Sequence, residues 1–369
     1  MTGHLDPVDG RVEDRSGGDG AVRCSVLAAQ EHEPVEATAP HAVAWVGVVV
    51  PGSWPQDALE RLPEPVARAL AAAPGVRPVL LRPVGRSGGG SALAGVVAGS
   101  SGEAVRTPPE DGVALVLAGT VPGRSWLRLV PEPEREAALT ALGDPGGHAL
   151  GELALGRDPG LGRREQRPAV LVCTNGARDV CCALSGRPAA ALLRDRLREG
   201  AGGLLRRRRA RALVWESSHL GGHRFAPTAA LLPSGMLLGG LGPAPERLGD
   251  AVDEVLAGRT VADGYRGRST YLPPEQAAEA AVRRHLGVTG TSAGPDDVRV
   301  DGSEPHPDGA DGARLVFVRH SAGRTFRVRV ERHVTDALRP ASCGADPTPV
   351  VVWETEVDAD AQTGAWLGV

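Results

Sequence analysis

The sequence predicts an α/β protein in three units: an N-terminal α/β domain, a second α/β unit, and a small α+β domain at the C-terminus. Apolar strand-like runs alternate with helix-like ones from residue 23 to about 165, which sets the first unit. The fully apolar run Ala169–Cys173 follows a polar linker and opens the second. Two late segments alternate apolar with polar residues, as half-buried strands do.

At 369 residues the chain is too long for one ordinary core. Hydrophobic residues at 41% and charged residues at 23% give globular composition, and 50 Gly with 31 Pro imply many turns. Lysine is absent, so all 41 basic residues are Arg. The formal charge of -4 gives no reason to expect nucleic acid or an anionic membrane as partner. The one basic run, Arg206–Arg209 with Arg211, reads as a solvated connection. Residues 1–22 are expected to be a disordered tail, and the polar Met1–Gly20 stretch lacks the apolar core of an export signal. The longest apolar run, Ala42–Val50, is far short of the roughly 20 residues a membrane span needs. The expected location is therefore cytoplasmic.

In the first unit, residues 23–165, Ala42–Val50, Val79–Leu81 and Val113–Ala118 read as strands, and Asp57–Ala73 and Glu132–Leu142 as helices. The Gly-rich link Gly85–Gly102 reads as a loop, since a phosphate-binding P-loop requires a lysine. In the second unit, residues 166–265, the strand Ala169–Cys173 leads to a helix with Ser185 as N-cap, Pro188 in the first turn and Gly200 as its stop. A strand at Ala212–Trp215 follows, then a hairpin-like pair, Ala229–Leu232 and Met236–Leu238, and a helix over Glu246–Leu256. Residues 266–369 begin with the basic turn Arg266-Gly267-Arg268. A helix over Pro274–His285 and strands at Leu315–Arg319, Thr325–Glu331 and Val350–Val357 complete the third unit.

Five cysteines, three of them bunched at Cys173, Cys181 and Cys182, in a chain without an export segment, fit a metal or redox site better than a disulfide framework. The other informative segment is His219-Leu-Gly-Gly-His223. Cys173 ends one strand and the histidines follow another, so neighbouring parallel strands would bring these side chains to one rim. Histidines four apart can share a helix face, but Gly221-Gly222 opposes a helix by about 2 kcal/mol. A tight loop with inward N–H groups is expected instead, suited to the sulfides of an iron–sulfur cluster. Cys24 and Cys343 have no companions in the sequence and read as ordinary thiols.

Cys-Thr-Asn-Gly-Ala-Arg-Asp at 173–179, Cys182-Ala-Leu, and Trp215-Glu-Ser-Ser-His219-Leu-Gly-Gly-His223-Arg-Phe-Ala-Pro resemble the sucrase/ferredoxin-like family, over roughly residues 22–265. The resemblance implies a thioredoxin-like ferredoxin module with a [2Fe-2S] cluster held by Cys173, Cys182, His219 and His223. It also implies an electron carrier or redox sensor served by donor and acceptor proteins. Arg178 and Asp179 favour Cys182 as ligand, with Cys181 the alternative. Gly221, Gly222 and Pro227 are the supporting loop, Pro227 being a candidate cis proline, and Glu216 or a backbone carbonyl is the candidate partner for a ligand imidazole. Two neutral imidazoles in place of two thiolates would raise the potential and couple it to pH. A Cys2His2 zinc site, structural or hydrolytic, is the alternative. Sucrose hydrolysis would need a pair of carboxylates, and no acidic spacing marks one. If the chain is an enzyme, a reductase is expected before a hydrolase.

Overall fold

The computed structural model describes residues 22–85, 112–199, 212–259, 261, 263–291, 293–306 and 312–358. The tail, most of the Gly-rich link and the Arg206–Arg211 run lie outside them. From the N-terminus come α1 (Cys24–Gln30), β1 (Ala44–Val49), α2 (Glu64–Ala72), β2 (Val76–Pro83), β3 (Val113–Gly119), β4 (Trp126–Pro131), α3 (Arg135–Leu142), α4 (His148–Ala154) and β5 (Arg163–Arg164). The middle of the chain gives β6 (Ala169–Cys173), α5 (Val180–Glu199), β7 (Leu213–Ser217), β8 (Ala229–Leu232), β9 (Met236–Leu238), α6 (Pro245–Leu256) and β10 (Tyr265–Arg268). The last part supplies α7 (Pro273–Val288), β11 (Val298–Pro305), β12 (Arg314–His320), β13 (Thr325–Pro340) and β14 (Pro347–Asp358).

Mixed α/β architecture is what forms. A ten-stranded sheet runs β10-β9-β8-β6-β7-β2-β1-β3-β4-β5, and a separate antiparallel sheet runs β11-β12-β13-β14. The pairing of β2 with β7, Leu81 opposite Ser217, carries the large sheet across residue 165. β3 and β6 are buried along their whole length, which is why both read as continuous apolar runs.

Side chains alternate across this sheet. Ala169, Leu171 and Cys173 enter one core with Trp45, Leu81, Val116 and Trp215. Val170 and Val172 enter another beneath α5 and α6, with Leu193, Leu248 and Val252. α7 packs Ala278, Val282 and Leu286 against Val316, Phe326 and Val328 of the small sheet. Its Glu279, buried completely, takes hydrogen bonds from Tyr265 Oη at 2.8 Å and Arg283 Nη2 at 2.8 Å, and an ion pair with Arg268 at 3.3 Å. This network ties α7 to the edge strand β10.

Several sequence expectations shift: the helix expected over Asp57–Ala73 is a 3-10 turn at Ala58–Arg61 followed by α2 from Glu64, and the strand expected at Val79–Leu81 extends over Val76–Pro83. The long helix starts at Val180, five residues before Ser185, and Pro188 lies inside it. Asp179 Oδ1 accepts the Cys181 N–H at 2.8 Å, so the carboxylate serves the first turn, while Ser185 Oγ donates back to Cys181 O at 2.7 Å. β11 is not among the strands expected from the sequence: the Gly-, Asp- and Pro-rich composition around it disfavours one, and pairing with β12 imposes it.

Candidate metal centre

β6 and β7 run parallel with Cys173 opposite Ser217, so the segments that leave both strands emerge at one edge of the sheet. The turn after Cys173 is closed by Asn175: its carbonyl accepts from Arg178 N at 3.3 Å and Asp179 N at 3.2 Å, and its Oδ1 from Ala177 N at 3.2 Å. That turn delivers the chain into α5, with Cys181 and Cys182 in the first helical turn. Successive helix residues point about 100° apart, so adjacent thiols cannot share one target.

Cys182 turns toward the histidine loop, its Sγ 3.2 Å from His223 Nδ1. It also shares a hydrogen bond with Cys173, whose Sγ lies 3.9 Å from Ser218 O. The His223 ring stacks on His219 with centroids 4.9 Å apart and planes at 29°. The four side chains thus form a row, Cys173, Cys182, His223 and His219. Cys181 faces elsewhere: its Sγ lies 3.7 Å from Cys24 Sγ and 3.4 Å from Cys343 Sγ. Cys24 and Cys343 therefore do have companions, a correction to the reading that left them isolated. Their sequence separations from Cys181, 157 and 162, leave no local signal to find them by.

The expected glycine loop is present. Gly221 and Gly222 adopt φ of 77° and 68°, the left-handed region that glycine enters without a Cβ penalty. A Cβ on Gly222 would fall 2.4 Å from Arg266 Nη2. Arg266, completely buried, donates to Gly221 O at 3.0 Å and Thr38 O at 2.6 Å, so it clamps the loop against the segment before β1. The Ala226–Pro227 bond that follows is cis. Arg266 and Arg77 are the site residues that sequence reading missed, since only the chain path brings them near. Glu216, the candidate imidazole partner, is engaged by Arg82 and Thr174. Its Oε2 accepts from Arg82 Nε at 2.9 Å, Arg82 Nη2 at 2.7 Å and Thr174 Oγ1 at 2.9 Å.

The electrostatics suit metal binding. Burial, reinforced first by Arg77 and also by Arg178 and Arg266, pushes His219 down to about 3. Burial lowers His223 too, against the opposing charge of Asp179. Both rings are then neutral at ordinary pH, the form that offers a lone pair. The hydrogen bond from Cys182 lowers Cys173 against its burial, helped by the Leu220 and Asn175 N–H groups. Burial depresses Arg266 to about 9 and Arg77 to about 10, leaving both cationic near neutrality.

His219 Nδ1 is buried without a hydrogen-bond partner, which fits a donor atom meant for a group other than protein. The row is also too extended for one ion: among the described residues, the His/Cys/Asp/Glu sets whose donor atoms all lie within 4.8 Å of one another are Cys24, Asp179, Cys181, Cys343 and the exposed Glu331, His333, Glu354. No helix among the described residues is long and apolar enough to cross a membrane. A sucrase/ferredoxin-like family model matches residues 35–267. No curated protein and no solved structure matches the chain.

Proposed function

Because the chain belongs to the sucrase/ferredoxin-like family, whose model covers well over half of it, we propose that it is an electron-transfer or redox-sensing protein carrying a [2Fe-2S] cluster on Cys173, Cys182, His219 and His223. The observation that carries this reading is the row of two thiols and two neutral imidazoles at one sheet edge, ending in the unpartnered His219 Nδ1. A bound cluster supplies one-electron exchange near the middle of the biological potential range.

The chain's own residues set the conditions. Cys173 and Cys182 would each bind as thiolates and the imidazoles add no charge, so electron uptake is easier than with four thiolates. Each ligand imidazole keeps a second ring nitrogen able to lose a proton, which links electron uptake to pH. The half-buried Arg77 and the buried Arg266 add positive charge, and the Gly221-Gly222 loop holds the histidine segment. His219, Gly221 and Gly222 are half-buried, so electrons would reach protein donors and acceptors from that side. Unpaired cysteines favour a reducing compartment such as the cytoplasm.

A Cys2His2 zinc site is the competing reading, and the extended row disfavours a single tetrahedral ion. Anaerobic purification followed by iron and sulfide analysis, with EPR after dithionite reduction, tests the choice. Brown protein with about two irons and two sulfides per chain, and a reduced signal that moves in His219→Cys and His223→Cys, supports the cluster. Colourless, iron-free protein sinks it.

A further inference from the structure

The remaining three cysteines form a second cluster. Cys24 opens α1, Cys181 lies in the first turn of α5, and Cys343 sits in the turn between β13 and β14. Their sulfurs are 3.7 Å (Cys24 to Cys181), 3.4 Å (Cys181 to Cys343) and 3.5 Å (Cys343 to Cys24) apart. Asp179 Oδ2 lies 3.7 Å from Cys24 Sγ.

We propose that Cys24, Cys181, Cys343 and Asp179 form a second metal site, a structural zinc site of three thiolates and one carboxylate. Donors at ordinary zinc–sulfur and zinc–oxygen distances stand about 3.5–3.8 Å apart at the corners of a tetrahedron, and the measured separations fall in or beside that range. A disulfide joins two sulfurs at about 2.05 Å and leaves a third over. Three nearly equidistant sulfurs fit one central ion instead.

The carboxylate is oriented for the task. Asp179 Oδ1 accepts the Cys181 N–H and Oδ2 the Cys343 N–H, both at 2.8 Å, so the aspartate is fixed by the backbone of two other members of the set. Such outer hydrogen bonds steady a ligand carboxylate. Cys24, Asp179 and Cys181 are buried, while Cys343 is half-buried and leaves an approach for the ion. Zinc suits the donor set because thiolates select soft or borderline cations and four-coordinate zinc has no geometric demand of its own.

Cys24 and Cys343 both lie outside the 35–267 stretch that matches the family. The site would join the chain's first helix and its C-terminal hairpin to the start of α5. The next residue after Cys181 is Cys182, so the ion would also hold the helix turn that presents Cys182 to His223.

Zinc and iron measured together on full-length protein, purified anaerobically with reductant after growth with added zinc, test the proposal. The expected result is about one zinc per chain, falling to background in Cys24→Ser and in Cys343→Ser. Zinc absorption-edge spectroscopy on the wild-type protein keeps the test open if those variants do not fold, and should show three sulfurs and one oxygen around the ion. Zinc-free wild-type protein, zinc retained in both variants, a shell of two sulfurs and two nitrogens, or a disulfide among Cys24, Cys181 and Cys343 in the reductant-treated protein would overturn it.

Discussion

Cys181 and Cys182 are neighbours in the first turn of α5 yet serve different groups: Cys182 Sγ lies 3.2 Å from His223 Nδ1, and Cys181 Sγ lies 3.4 Å from Cys343 Sγ. Serine substitution at the two positions should therefore separate. Cys182→Ser is expected to lose the visible absorption and iron of the proposed cluster, while Cys181→Ser keeps both. Equal loss in the two variants, read by absorption and iron content, would contradict the division.

Gly221 and Gly222 have similar positive φ but different neighbours. Alanine at Gly221 meets only atoms 3.8 Å away or more, so it should cost about 1 kcal/mol of backbone strain. Alanine at Gly222 also drives a methyl into the buried Arg266 guanidinium and should cost about 2 kcal/mol or more. Urea denaturation midpoints of the two variants should rank accordingly, with Gly222→Ala the weaker protein.

Glu279 is buried between Arg268 and Arg283, and those charges hold its carboxyl below the usual range despite burial. Its ionised form therefore contributes stability that is complete above the unfolded carboxyl pKa of about 4.3, and is lost as pH falls from there toward the lower folded value. Glu279→Gln leaves two arginines uncompensated and should cost about 3–5 kcal/mol at pH 7. The difference from the wild type should shrink in denaturation curves taken below about pH 4.

Arg77 is a half-buried cation whose buried Nε has no hydrogen-bond partner, and its charge is the first after burial to depress His219. Arg77→Gln removes that charge from beside the proposed cluster. Adding an electron then becomes harder, so the reduction potential should fall by roughly tens of millivolts. A potential that stays the same or rises in a redox titration would contradict the placement.

Periodicity and composition made several elements legible. Ala169–Cys173, Ala229–Leu232 and Met236–Leu238 form at the predicted limits, because a buried strand writes itself as an apolar run whatever its partners. The resemblance to the sucrase/ferredoxin-like family implies Cys173, Cys182, His219 and His223 as one set, and the fold brings those side chains into one row. The start of α5 at Val180 is also legible, in a signal that the choice of Ser185 as N-cap passes over: Asp179 is a local N-cap for the Cys181 N–H. Local sequence could not show that Cys24 and Cys343, 319 residues apart, meet at 3.5 Å, or that Arg266 returns to clamp Gly221. Those relationships depend on how the strands order in the sheet and where α7 and the small sheet dock, and long-range packing of that kind leaves no periodic trace in the chain.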